Sequence, residues 1–432
     1  MSVIQRSLNK YSFSNIYNII NLSFSSTFLL IGGLFIPFEG RIQKGQVWTL
    51  DIFCDAKMSV KGLNGLLPLS YMFSMWVSTL CYIISELWSS VMIGYAFYTL
   101  SNYTCTEKEM KEVVPYFSSI TAFSMIISAL LFFFNEDLEH FIPTDSKMNP
   151  SSLFFLGIFF LTILIFLMKG SLISMSKGLE KSNDLQKQNS STISSLLTSR
   201  FLRNMCYVAL FYAVNAGFID MSFKNGLASG SKIQNIPADI YSKKFLITVL
   251  LIIATTTLAY NFIFKKCFKT KGIFFPSIVP PISAIIFVIV VALLSFYNFY
   301  FGKYYSIINL TIDIENWLGS AGMGFSKITK YVLFDLAKEM ISMRISPKYR
   351  YKYKSVYDGI CIKLGKSMVS LYGAILTFLG VNDIRQASPL TLGLLLFINI
   401  CWIKCVFYLI KKYEDSVNEN KEIDVENEQT EK

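Results

Sequence analysis

The stretch LSYMFSMWVSTLCYIISELWSSVMIGYAFYTLSN, residues 69–102, is apolar almost throughout and holds one carboxylate, Glu86. As a straight helix rising about 1.5 Å per residue it would overshoot a hydrocarbon core roughly 30 Å thick. It is therefore one tilted helix or a broken pair, and that choice decides how many times the chain crosses a membrane. A membrane is implied by composition: 53% hydrophobic residues, 38 Phe and a mean hydropathy of +0.46 exceed what ordinary soluble domains carry. Apolar runs of spanning length recur near 15–38, 69–102, 113–134, 150–168, 203–223, 245–264, 274–300, 304–326, 356–380 and 388–410. The expected fold is thus an all-α polytopic membrane protein of about ten helices in two bundles, major-facilitator-like.

Loop charge favours one tilted helix over a pair, because Lys and Arg collect in cytoplasmic loops. Segment 169–203 holds six basic and two acidic residues, 265–271 four Lys, and 327–354 eight basic and two acidic residues. Ten spans put all three on one side, with both termini, and put the acidic loop of Glu136, Asp137, Glu139 and Asp145 opposite. Lys243, Lys244 and the loop 39–63 are minority votes against. The net charge of +11 then reads as topology, and a nucleic-acid partner is not expected.

The polar segment 170–202 divides the expected domains: an N-terminal bundle over 1–169, a cytoplasmic linker, a C-terminal bundle over 203–410 and an acidic disordered tail over 411–432. Such a linker suits a two-lobed transporter rocking about a central site. Eight Cys are scattered singly without a CxxC and His140 is the single histidine, so neither a metal site, a disulfide framework nor a cofactor is expected. The first 14 residues are polar and no cleavable leader is expected.

Charges inside apolar runs point to function, since each costs about 2.5–3.5 kcal/mol at the bilayer centre. Glu86, Asp220 and Lys366 are the deepest, and Lys363 shares the helical face of Lys366. Asp313 and Glu315 interrupt 304–326. A structural ion pair or snorkelling is the bland reading, and it suits Asp220 and Asp313 better than Glu86 or Lys366. The run from Gly359 to Ser367 resembles a phosphate-binding loop but has five residues between its glycines where four are needed, and no strand precedes it.

Three strings carry a family resemblance: Ser85-Glu86-Leu87-Trp88-Ser89-Ser90, followed by Asn102, Thr106, Glu109 and Tyr116-Phe117; Arg203-Asn204 and Ala216 to Lys224 around Asp220; and Lys330-Tyr331-x-Leu333-Phe334-Asp335-x-x-Lys338-Glu339-Met340, then Lys363-Leu364-Gly365-Lys366-Ser367. They resemble the ATP/ADP translocases of obligate intracellular bacteria, plastids and microsporidian parasites. The resemblance covers about residues 80 to 385.

What it implies is a nucleotide transporter, not an enzyme, importing host ATP in exchange for ADP by alternating access. Glu86, Asp220, Lys366, Arg203, Lys363, Lys338 and Asp335 would be its substrate-binding and transport residues. Asp replaces the family's Glu at 220, Lys363 replaces an Arg and Ser89 a Gly. The family has twelve helices and nothing before Glu86 matches its first two, so either an amino-terminally truncated chain or a divergent member lacking them is expected. A monomer in the plasma membrane of an intracellular parasite, microsporidian rather than bacterial, is the expected setting; a bacterial inner membrane or an organelle envelope such as a mitosome is the alternative. Other purine nucleotides, or a non-transporting member, remain alternatives. A receptor or channel would not explain the ordered Glu, Asp and Lys strings, and a membrane transferase would want more than a lone His140.

Overall fold

The computed structural model describes residues 13–43, 72–97, 107–134, 150–175, 199–301, 308–346, 353–381 and 383–423. The acidic loop with His140, the motif residues Asn102 and Thr106, linker residues 176–198 and residues 424–432 lie outside them. Among the described residues the elements are helices, apart from one isolated bridge between Ile345 and Ile423. In chain order the main helices are α1 (Phe13–Leu30), α2 (Trp76–Trp88), α3 (Glu107–Phe133), α4 (Pro150–Met175), α5 (Arg200–Gln234), α6 (Ala238–Lys271), α7 (Phe274–Tyr300), α8 (Ile308–Thr329), α9 (Asp335–Met343), α10 (Ile362–Phe378) and α11 (Ser388–Asn418).

Seven helices among the described residues are long and apolar enough to cross a membrane, where ten were expected. Three expected spans fall short for separate reasons. Among its described residues, the 69–102 stretch runs as the α-helix Trp76–Trp88 and then widens into the π-helix Ser89–Phe97. α3 opens on the charged EKEMKE, which leaves Ser119–Phe133 as its apolar part. α8 carries Asp313, Glu315 and Lys327 along its length.

The two-bundle, major-facilitator-like arrangement is corrected as well. The chain divides into one compact unit of Met1–Thr104, Phe134–Ser190 and Phe378–Gly380 and another of Cys105–Phe133, Ser191–Thr377 and Val381–Lys432. α3 therefore leaves its sequence neighbours and packs on α6 in the second unit. Its apolar face finds a partner there that a run of helices in simple succession would not provide.

In the first unit α1 packs on α4. Asn21 Nδ2 donates to the Thr162 carbonyl at 3.0 Å and Thr162 Oγ1 to Ser25 Oγ at 2.9 Å. Buried polar side chains that satisfy one another tie helices together where lipid offers no hydrophobic drive. Trp88 of α2 packs edge-on against Phe24 and Phe28 at 5.4 and 5.5 Å.

The second unit is built around α5. Ser199 caps its start by accepting from the Leu202 amide, and Asn235 ends it in a left-handed conformation at φ 54°. At 35 residues it is about 50 Å long. Phe201, Leu202 and Met205 pack with residues of α9 and α11; Phe223 and Leu227 pack with Tyr241 and Phe245 of α6; Val214, Phe218 and Ile219 pack with Val288, Val369 and Leu395. The last helix runs on to Asn418 and buries Tyr413 and Ser416, so residues 411–418 of the acidic tail are helical.

Candidate functional site

Asp220 lies in the latter half of α5, and one turn on, Lys224 Nζ stands 2.7 Å from its Oδ2. The side chains are 34% and 63% exposed, so this pair meets solvent and contributes no more than about 1 kcal/mol. A pair of that strength exchanges partners readily. Lys327, in the last turn of α8, interacts favourably with Asp220 and unfavourably with Lys330, Lys224 and Lys366. Lys327 thus lies within electrostatic reach of Asp220 and of ammonium groups from α5, from the continuation of its own helix and from α10, and Lys330 in turn feels Asp335 and Tyr331. Like charges in partly desolvated surroundings repel over more than a Debye length, about 8 Å at physiological salt, so the cluster favours an anion. Lys366 is exposed, and Lys363, one turn earlier, is half-buried.

Lys338 and Asp335 belong elsewhere. Lys338 Nζ lies 3.2 Å from Asp335 Oδ1 and 2.6 Å from Asp358 Oδ1, with all three side chains at least nine-tenths buried. Beside them Lys354 Nζ meets Glu339 Oε2 at 2.5 Å, and Ser342 Oγ shares a 2.6 Å hydrogen bond with the Tyr357 hydroxyl. Burial pushes the Lys338 ammonium toward neutrality, and the carboxylates of Asp358, Asp335 and Glu339 more than reverse this, holding it well above the ordinary lysine value. Both residues are committed to internal ion pairs that join α9 to the π-helix Ser355–Cys361, from which α10 grows.

Toward the other end of α5 a third polar group closes the unit. Glu315 accepts from Ser295 Oγ at 2.8 Å and Asn298 Nδ2 at 2.7 Å, with the Arg385 guanidinium 3.6 Å away. Arg385 also forks onto Asp383 and donates to Ser229 of α5 at 2.5 Å. Asp313 accepts from the Tyr241 hydroxyl and Gln234, each at 2.8 Å. The charges that interrupt 304–326 are therefore satisfied inside the protein.

Arg203 is half-buried in the first turn of α5, its amide bonded to the Ser199 carbonyl at 3.1 Å. In the first unit Glu86 is half-buried on α2, and the Ser90 hydroxyl donates to its backbone carbonyl at 2.7 Å. The π-helix begins three residues later. Of the sequence candidates, Asp220 and Lys366 both act on Lys327, and Lys338 and Asp335 pair in a separate buried group. Lys224 and Lys327 were missed as members of the first, as were Asp358, Lys354 and Glu339 of the second. Lys327 had a signal: it is a cation that ends the uncharged run 316–326 of α8.

An all-α chain with seven helices among its described residues long and apolar enough to cross a membrane is, by class, a multi-pass membrane protein. A family profile described as TLC ATP/ADP transporter matches residues 1–413, and the chain belongs to that family. The ADP,ATP carrier protein 1 of Encephalitozoon cuniculi is 28% identical, the match covering 98% of this chain and 79% of that protein. The ADP,ATP carrier protein 1 of Paranosema grylli is 25% identical over 98% of this chain and 80% of its own length. The ADP,ATP carrier protein 4 of Rickettsia conorii is 24% identical over 95% and 81%. These relatives come from intracellular parasites.

Proposed function

We propose that the protein exchanges ATP for ADP across a membrane by alternating access, with Lys224, Lys327, Lys330 and Lys366 receiving the phosphates. Asp220 is their counter-ion when the site is empty. The observation that carries this reading is that the exposed Asp220–Lys224 pair and the ammonium groups of Lys330 and Lys366 all act on Lys327. Moving such a site through the membrane empty is costly, whereas a bound polyphosphate brings it near neutrality. Obligatory exchange follows from that difference. Arg203 and Lys363 extend the positive field along α5 and α10, and Glu86 keeps the role of a transport carboxylate that the family resemblance gives it. Lys338 and Asp335 act as internal supports.

ATP carries about one more negative charge than ADP, so a potential negative inside opposes import by roughly 2.3 kcal/mol per charge per 100 mV. Import then requires a steep outside-to-inside ATP gradient, which suits the plasma membrane of a parasite bathed in host nucleotide. The test is uptake of labelled ATP by bacterial cells expressing the chain, with and without internal ADP. Uptake that depends on internal nucleotide and is lost in Lys366→Ala and Lys327→Ala supports the reading. Uptake indifferent to both substitutions overturns it.

A further inference from the structure

α10 approaches α5 at Gly365 more closely than any side chain would permit. A Cβ there would stand 2.7 Å from the Ala213 Cβ and 2.8 Å from the Leu210 carbonyl oxygen. Two further glycines mark the same seam: a Cβ on Gly217 would meet Val369 at 3.0 Å, and one on Gly373 would meet Met221 Sδ at 3.2 Å. At those two positions the neighbour is a side chain that can shift. At Gly365 it is a methyl fixed to the backbone and the backbone itself, so relief requires moving a helix.

Backbone freedom does not explain this glycine. Gly272 and Gly380 are the positive-φ glycines among the described residues, and Gly365 lies inside α10, where glycine costs about 1 kcal/mol relative to alanine. Space is what it provides. The next residue is Lys366, and the depth at which α10 seats against α5 fixes how far that ammonium stands from Lys327 and from Asp220, which α5 itself carries.

We propose that Gly365 is a positioning residue for the anion site: its missing side chain seats α10 on the α5 backbone and so places Lys366 within the lysine cluster. This rests on the reading that Lys366 meets substrate phosphate. Loss of the seat raises KM for the nucleotide through Lys366 alone, whereas a packing defect acts whether or not Lys366 is present.

The experiment is a double-mutant cycle on protein reconstituted in vesicles loaded with ADP, reading KM and maximal rate for ATP entry together with the melting temperature. Gly365→Ala is expected to raise KM about tenfold with most of the maximal rate kept, and to raise it less than about twofold in a Lys366→Ala background. Adding Ala213→Gly to Gly365→Ala removes one of the two close contacts and recovers part of the loss. Should Gly365→Ala not fold, Ala213→Ser crowds the same contact from α5 and must show the same dependence on Lys366. An unchanged KM in Gly365→Ala, or an equal rise in both backgrounds, overturns the positioning role. A normal KM in Lys366→Ala alone shows instead that the phosphate reading of Lys366 has failed, and the positioning role falls with it.

Discussion

Lys338 Nζ stands 2.6 Å from Asp358 Oδ1, both side chains at least nine-tenths buried, and joins α9 to the π-turn that starts α10. Removing one partner of such a pair leaves the other charge desolvated, which costs about 3–5 kcal/mol. Lys338→Ala and Asp358→Ala are each expected to lower the melting temperature of the detergent-purified protein sharply. The double substitution Lys338→Met with Asp358→Leu should recover part of that loss, the remainder staying with the buried Asp335, which loses Lys338 as well. A single variant that melts like the parent would show that the pair is not buried as described.

The same pair sets a pH dependence. The folded lysine is held above its unfolded value of about 10.4, so its stabilisation is fully present below that pH and is lost only as pH rises through the higher folded value. Lys338→Arg, which keeps the positive charge beside Asp358, should therefore change the height of the curve of melting temperature against pH but not its slope between about pH 6 and pH 9. Parallel curves for parent and variant check this; converging curves in that window contradict it.

What the sequence made legible, and what it hid, follows from the kind of force at each place. Charges in apolar runs stand out because desolvation is costly wherever they end up, which is why Glu86, Asp220 and Lys366 draw the eye in the sequence. Their destinations depend on partners far along the chain. Glu315 is answered by Arg385 and Lys338 by Asp358, and neither spacing has a helical period. The helix count failed at 69–102 where geometry leaves the α-helix, and at 113–134 and 304–326 where charges interrupt the apolar run. Ser89–Phe97, Lys330–Phe334 and Ser355–Cys361 are π-helical, and each abuts a string that carried the family resemblance. Such widened turns often mark functional positions, and residue type alone does not announce them. The placement of α3 beside α6 was equally hidden, since an apolar face does not name its partner.

Lys224 offers the opposite case to Lys338. Its pair with Asp220 is solvent-exposed, so Lys224→Ala should change stability by less than about 1 kcal/mol. Its charge belongs to the proposed phosphate cluster, and ATP uptake should fall severalfold with KM rising. Melting curves and uptake kinetics on the same preparation separate the two. A variant that loses both in proportion would mark Lys224 as structural.

Arg385 ties the loop before α11 to α5 and α8 through Asp383, Ser229 and Glu315. Glu315 is 3% exposed and keeps its bonds from Ser295 and Asn298 when the guanidinium is removed. Arg385→Ala is expected to cost roughly 3–5 kcal/mol, and Glu315→Gln introduced with it should return part of that loss by removing the stranded charge. The check is the melting temperature of the single and double variants, and an additive pair would show that the two side chains do not interact.

Two adjacent glycines in the first unit test close helix packing without reference to transport. A Cβ on Gly32 would meet the Ser152 carbonyl oxygen at 2.9 Å and the Leu156 amide nitrogen at 3.0 Å, both backbone atoms of α4, whereas Gly33 has nothing within 4 Å. Neither has a positive φ. Gly32→Ala must push the π-helix Ile31–Phe35, which continues α1, away from α4, an overpacking that costs typically about 1–3 kcal/mol. Gly33→Ala meets no obstacle and restricts the unfolded chain, which stabilises by about 0.4–1 kcal/mol. The two variants should therefore shift the melting temperature in opposite directions. A loss of equal size at both positions would mean that helix geometry at 31–35, and not the approach of α4, requires the glycines.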